Sequence, residues 1–443
     1  MATLAQQMAR FIALDIHAGI GASLRDTVLV AFLDTAGCIL SGRNEAVTRQ
    51  LSAWLDQRYR NDRAARLLFS EERHSVAAAA MLNAVSGHAL DLDDVALAGH
   101  PSVVLVPALL AESDHTGARG PALVSAYIKG YQVWADLLRR LPDPLHVKGW
   151  HPTAVLGTMG AAAALCALRN TAPDVTAHAL GIAASRASGL VANFGSMTKP
   201  LHAGWAAEQA ISAVDLALLG MTASMDALDG PTGLLTALSS ERPPDRQTPF
   251  FETGELAISQ VRPSVKKYPV CYAMHRVIDG VIGLRNRHGL RPADVERIDA
   301  HVSVTNARVL KYERPAGPLE AKFSMPFACA CALAFGEVGL RHLSAETLSD
   351  PAVRGLMPRV RMQELDSQCP IEPSFAYTDR VCITLKNQTV LDSGPIRFAV
   401  GHAQLPLAPE QIEAKVLGCA DPAEEAEVRA LIARLRGLLG DRR

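Results

Sequence analysis

The chain has 443 residues, 49% of them hydrophobic, and Lys+Arg 44 against Asp+Glu 45 leaves a formal net charge of -1. One hydrophobic core stops growing well short of that length, so two globular domains are expected. The near-neutral balance, with no long run of either sign, argues against a nucleic acid or an anionic membrane as partner.

The N-terminus lacks the layout of a signal peptide, and the longest strongly apolar run, Val103–Ala111, is too short to span a bilayer and holds Pro107. Eight cysteines are scattered without CxxC spacing. A soluble cytoplasmic protein with buried free thiols is therefore expected.

Up to about residue 260 the apolar positions recur at helical spacing. Ser23 followed by Asp26 reads as an N-cap, after which Leu24, Val28, Phe32, Ala36 and Leu40 form one face that stops at Gly42. Leu123–Leu138, Ala154–Leu168, Ala177–Leu190 and Ala203–Leu219 follow the same rule. Gly160 to Ala164 and Ala206-Ala207 are small-residue faces that let neighbouring helices approach closely. Near residue 262 the composition changes. "VERIDAHVSVTNARVL" and "DRVCITLKNQTVLDSGPI" read as strands, the second turning at Asn387-Gln388, with helices between them at about Pro326–Gly336 and Ser344–Pro358. The last stretch returns to amphipathic helix and is expected to pack back on the first domain. The expectation is thus a mainly α protein: a large helical domain from residues 1–262 and 396–443, and a smaller α+β lid domain from 263–395.

Five short stretches carry polar residues that a core does not require: "DLDDVALAGHP", "KGWHPTAVLG", "GSMTKPLHAGWAAE", "KKYPVCYAMHRVID" and "AKFSMPFACACAL". The first puts Asp91, Asp93, Asp94 and His100 beside an apolar run, where an unpaired ionised carboxylate costs several kcal/mol. In "GWHPTA", Pro152 suits a first helical turn and leaves His151 at the helix mouth, a place that favours anions. Lys199 precedes Pro200 and is expected just before a helix, while Lys266 and Lys267 stand beside Tyr268-Pro269 at another turn. Cations gathered at helix mouths point to a small polyanion, most simply a di- or tricarboxylate. Taken singly, each residue has a plainer reading: the aspartates as helix caps, the lysines as solvated charges, His151 as a loop residue, and His202 and His275 as packing or capping groups.

Taken together, "HALDLDD…HPS…VPALLA", "GWHPTAVLGTMGAAAA", "GSMTKPLHAGWAAEQA…ALDGPTGLL", "KKYPVC…H" and "AKFSMPFACACAL" occur in an order and spacing that resembles the MmgE/PrpD family, over nearly the whole chain. The family includes 2-methylcitrate dehydratase, cis-aconitate decarboxylase and iminodisuccinate epimerase. The resemblance implies a helical domain with a smaller lid, a homodimer, a small polycarboxylate substrate, and no cofactor or metal. It places the active-site aspartate on Asp91, two histidines on His100 and His151, and two lysines on Lys199 and Lys266. The substrate-binding set it suggests is Lys199, Lys266, Lys267, His151 and Tyr268. Two positions depart from the family pattern. Val95 stands where a threonine is frequent and Phe327 where a tyrosine is frequent, each removing a hydroxyl from the expected pocket.

The shared chemistry develops negative charge at a carbon next to a carboxylate, which calls for cations already in place, supplied by Lys199, Lys266 and protonated His151. A proton must also move at carbon, a task for His151 and His100, with Asp91 orienting one of them; which is acid and which base is open. A hydro-lyase of the 2-methylcitrate dehydratase type is the first expectation, with a decarboxylase, an epimerase or a silent carboxylate-binding homologue as alternatives. A magnesium and diphosphate site at "DLDD" is the remaining rival, weakened because no second acidic cluster at helical spacing appears.

Overall fold

The computed structural model describes residues 2–58, 63–68, 70, 72–239 and 242–440. The first part is helical: α1 (Leu4–Ala13), α2 (Ala22–Gly42), α3 (Ala46–Arg58), α4 (Val76–His88), α5 (Ser102–Thr116), α6 (Pro121–Arg140), α7 (Pro152–Leu168), α8 (Pro173–Arg186) and α9 (Thr198–Leu218). Helices α6, α7 and α8 each open on proline, which has no N–H to leave unpaired and a preset φ. Every residue of α7 from Pro152 to Cys166 is buried, so this helix has no solvent face and forms the centre of the layer. Each fully buried side chain on it, such as Leu156 or Met159, contributes about 1.5–3 kcal/mol. The small-residue stripe lets α6 come close: a Cβ on Gly130 would lie 2.5 Å from the Gly160 carbonyl oxygen. Any side chain there would force the two helices apart.

Several boundaries differ from the sequence expectation. Helix α2 is preceded by Gly21 with no side-chain cap, and Ser23 lies inside its first turn. Helix α8 begins at Pro173 and ends at Arg186, short of Leu190. Helix α9 starts at Thr198, which puts Lys199 inside the first turn instead of ahead of it. Pro200 is tolerated there because first-turn N–H groups have no intrahelical partner to lose.

The second part holds α10 (His275–His288), β1 (Val295–Ser303), α11 (Met325–Phe335), β2 (Val360–Leu365), β3 (Arg380–Leu385) and β4 (Val390–Asp392). The sheet order is β2-β1-β3-β4; β1 and β2 are parallel, the other pairs antiparallel, and Ile298 stands opposite both Val360 and Ile383. Val277, Ile278 and Val281 of α10 and Phe327, Cys329 and Leu333 of α11 pack with Ile298, Val302, Val381 and Ile383 into one core. The strand anticipated through Leu310 stops at Ser303, whose hydroxyl accepts from Asn306 N at 3.1 Å and caps a short helix over Val304–Val309. The helix expected over 344–358 is broken at Pro351, where the Asp350 side chain caps the second piece. Strand β2 was not anticipated. The hairpin does turn at Asn387-Gln388, with Gln388 at φ 69.

Helices α12 (Pro409–Leu417) and α13 (Glu425–Leu439) return to α2: Leu33, Ala36 and Leu40 pack with Ile412, Val416, Leu431, Ile432 and Leu435. The protein is therefore a large helical assembly with a smaller α+β unit. Its eight cysteines are free, most of them buried. Among the described residues no helix is long and apolar enough to cross a membrane.

Candidate active site

The loop between α4 and α5 is tightly constructed. Asp91 takes a left-handed backbone, φ 54, and Leu97 and Ala98 do the same at φ 50 and 60 in a turn closed by paired hydrogen bonds between Ala96 and Gly99. Each such non-glycine residue costs about 1–2 kcal/mol, so other contacts must hold the loop. Trp134 Nε1 donates to the Leu97 carbonyl at 3.0 Å, Val95 and Ser264 exchange backbone hydrogen bonds, and the His100 amide donates to Thr153 Oγ1 at 3.2 Å.

Asp94 caps α5: its carboxylate accepts from the amide and hydroxyl of Ser102, and burial pushes its pKa up to about 8. Asp93 serves two imidazoles. His88 Nδ1 lies 3.0 Å from both carboxylate oxygens, and His100 Nδ1 lies 3.0 Å from Oδ2 without the alignment of a hydrogen bond. Asp91 receives two ammonium groups on one oxygen, Lys199 Nζ at 2.7 Å and Lys266 Nζ at 3.0 Å, while His100 Nε2 stands 3.7 Å away. Lys199 also contacts His88 Nε2 at 3.0 Å, and its ammonium lies over the rings of both Phe194 and Phe323. His151 precedes α7 as its N-cap residue and pairs Nδ1 to Nδ1 with His202 at 3.0 Å. Its ring stacks 5.8 Å from that of His88, which is in turn 4.6 Å from that of His100.

Asp91, His100, His151, Lys199 and Lys266 are thus brought into one cluster, four of them almost wholly buried and His100 slightly open. Lys267 and Tyr268 are not. Lys267 is exposed and faces Asp279 at 3.6 Å, and the Tyr268 hydroxyl donates to the same carboxylate at 2.6 Å. Their charges and hydroxyl are committed on the far side of the 266–268 turn. Phe327 is fully buried and packs in the core of the α+β unit. Val95 packs beside Tyr272, Phe375 and Ala399.

Charge in the cluster is set by burial. Burial opposes ionisation of Asp91, yet Lys199 and Lys266 hold its carboxyl well below the usual range; His88 and His100 do the same for Asp93. Burial pulls His88 down to about 4 against the pull of Asp93, and lowers His100 as well. His151 is depressed further, by burial first and then by Lys199. It is neutral near pH 7, which corrects the expectation of a resident imidazolium. The orienting role expected of Asp91 falls chiefly on Asp93, and Asp91 is the counterion of the lysines.

Sequence reasoning missed His88, although it stands three residues ahead of Asp91 in "HALDLDD" and ends α4. It also missed Lys322, whose buried ammonium donates to the Ala89 carbonyl at 2.7 Å and is drawn down to about 8 by burial. His202, read as packing, touches His151 directly. His275 is fully buried between Tyr268 and Tyr272, with Nε2 on the Val270 carbonyl and Nδ1 unpartnered.

His88, Asp91, Asp93 and His100 offer ligand atoms within 4.8 Å of one another, a spacing a metal ion can use. The donor chemistry does not fit one: Asp91 Oδ1 already carries two ammonium groups within 3.0 Å, which would repel a cation, and both Nδ1 atoms turn to Asp93. Two ammonium groups, a third on Lys322 and two carboxylates leave the cluster with a positive excess suited to an anion.

Residues 6–247 match the family model of the MmgE/PrpD N-terminal domain, and residues 268–436 that of the MmgE/PrpD C-terminal domain. Among characterised relatives, the cis-aconitate decarboxylase of Mus musculus is 29% identical over 351 residues, covering 76% of this chain and 70% of the relative. The Homo sapiens cis-aconitate decarboxylase is 28% identical over 348 residues, 76% and 71%. The Aspergillus terreus cis-aconitate decarboxylase is 26% identical over 327 residues, 67% and 65%.

Proposed function

Because the chain belongs to the MmgE/PrpD family, we propose that it is a lyase that acts on a small di- or tricarboxylate by moving a proton at a carbon next to a carboxylate, with no metal or organic cofactor. The observation that carries this reading is the meeting of Lys199 and Lys266 on one oxygen of Asp91, ringed by His88, His100 and His151. A substrate carboxylate entering here shares the two ammonium groups with Asp91. Because it adds negative charge beside imidazoles that burial keeps neutral, it raises their proton affinity. Binding therefore loads the acid. His100 and His151 are the proposed proton carriers, His88 and Asp93 fix the His100 ring, and the lysines hold the developing negative charge.

The names of the relatives favour loss of carbon dioxide, and cis-aconitate is the first substrate to try. Dehydration of 2-methylcitrate is the second, since the same cations would stabilise a carbanion next to a carboxylate in either reaction. The test is incubation with cis-aconitate, citrate, 2-methylcitrate and related C4 to C7 acids in deuterated water, followed by proton NMR. Carbon dioxide release with a new methylene signal identifies a decarboxylase, alkene formation from a hydroxy acid a hydro-lyase, and deuterium exchange without net conversion an epimerase. Binding of these acids with no change in any of them would leave a silent homologue. A homodimer in the cytoplasm is the proposed working form; the exposed apolar Trp205, Leu218, Leu219 and Met221 support the association, and light scattering on the eluted protein tests it.

A further inference from the structure

Three lysines from separate parts of the chain end on the carbonyl oxygens of the acidic loop. Lys322 Nζ donates to Ala89 O at 2.7 Å, Lys266 Nζ to Asp91 O at 2.8 Å and Lys415 Nζ to Leu92 O at 2.9 Å. Satisfying buried carbonyls with ammonium groups is an expensive choice, since each loses its hydration unless an anion compensates. Lys266 has Asp91 for that purpose. Lys415, on α12, has Asp34 of α2, which is 1% exposed and whose pKa burial pushes up while Lys415 draws it back. No hydrogen bond or ion pair joins Asp34 or Lys415 to His88, His100 or His151 among the described residues. Apolar contacts already hold α12 on α2, so the ion pair is not needed to dock the helix.

What Lys415 does reach is the peptide between Asp91, with its left-handed backbone, and Asp93, the partner of two imidazoles. That carbonyl belongs to the peptide joining Leu92 to Asp93, so a rotation there would change where the Asp93 carboxylate lies relative to that of Asp91. We propose that Lys415 and its counterion Asp34 are positioning residues: by gripping the Leu92 carbonyl they set the register of Asp91 against the lysines and of Asp93 against His88 and His100. The kinetic part of this inference rests on the lyase reading above; the geometric part does not.

Removing Lys415 alone would strand a buried carboxylate, so the informative variant is the pair Asp34→Asn/Lys415→Met, which removes both charges at similar volume. The pair is expected to melt within a few degrees of the parent, to lower kcat about 10- to 100-fold through misplacement of the reacting groups, and to leave KM within about threefold. Lys415→Arg, which keeps a charged donor, should recover most of the rate. Val416→Ala is the control: it loosens α12 on α2 without touching the loop, and should lower the melting temperature but not kcat. Ring-proton NMR of the histidines supplies a readout free of turnover, with the His88 and His100 signals moving in the paired variant and not in Val416→Ala. The proposal is overturned if the paired variant turns over at the parental rate, or if Val416→Ala loses as much rate. If the parent converts no polycarboxylate, the lyase reading fails while the histidine signals still decide this one: unchanged signals in the paired variant overturn it.

Discussion

Replacing Asp91 by asparagine tests the electrostatic core of the site. The carboxylate oxygen that now lies 2.7 Å from Lys199 and 3.0 Å from Lys266 becomes a neutral amide, leaving two ammonium groups buried without their shared counterion. Breaking a buried pair from one side costs about 3–5 kcal/mol. With an unfolding entropy of about 2.1 cal/mol/K per residue, a chain of this length changes by roughly 0.9 kcal/mol per degree, so the melting temperature should fall by about 3–5 °C. A polycarboxylate ligand restores the missing negative charge. At about 100 times its Kd it stabilises any protein it binds by about 2.7 kcal/mol, and Asp91→Asn should gain more than the parent at equal concentration because the ligand also quenches the stranded lysines. The assay is thermal unfolding of both proteins with and without citrate or cis-aconitate, alongside turnover. A variant that melts within one degree of the parent, or gains no more from the ligand, would refute the counterion argument.

The histidines make stability depend on pH. His88 is held at about 4 against an unfolded value of about 6.5, so its stabilising effect is complete above pH 6.5 and is lost as the pH falls toward 4, because the unfolded chain takes up the proton first. His100, His151 and His275 shift in the same direction. Asp94, raised to about 8, Asp379, raised to about 7, and Asp34 act the other way above pH 4, but His146 and His202, drawn down to about 4, add to the histidine side; the urea midpoint should therefore drop between pH 6.5 and 4, and a flat profile would contradict neutral burial of these rings. Gly99→Ala would put a methyl 2.8 Å from Trp134 Cζ2 and 3.0 Å from the Thr153 amide, so it should cost about 1–3 kcal/mol and displace His100, measurable as a lowered denaturant midpoint together with a fall in kcat. Activity should survive prolonged dialysis against a strong chelator, since Asp91 is already held by lysines; loss that is restored by one divalent metal would reverse that reading.

What the sequence made legible followed from spacing. The proline that opens α7 announced its start, the glycine and alanine stripe foretold the close approach of a neighbouring helix, and polar residues stranded in apolar surroundings marked Asp91, His100, His151 and Lys199. What it hid were pairings. Nothing in the residue types distinguishes Asp91 from Asp93, yet Asp91 meets Lys199 and Lys266 from more than a hundred positions away, while Asp93 meets His88 and His100 from either side of its own loop. Strand β2, with its exposed and charged alternate residues, looks like a surface segment until β1 lies beside it. Lys267 and Tyr268 directly follow Lys266 in the chain, but a turn sends them to Asp279. Phe327 sits on a helix whose entire facing surface is core, so its neighbours in sequence could not reveal which way it points.

The grip of Lys415 on Leu92 spans 323 positions of the chain. A polypeptide emerging from the ribosome has its histidine pair and aspartates long before it has the last of the groups that hold them, and nascent chains cut short of that lysine would carry every reacting side chain yet lack one of the restraints on their arrangement. The three lysine contacts on the loop's carbonyls are therefore complete only once residue 415 has been added.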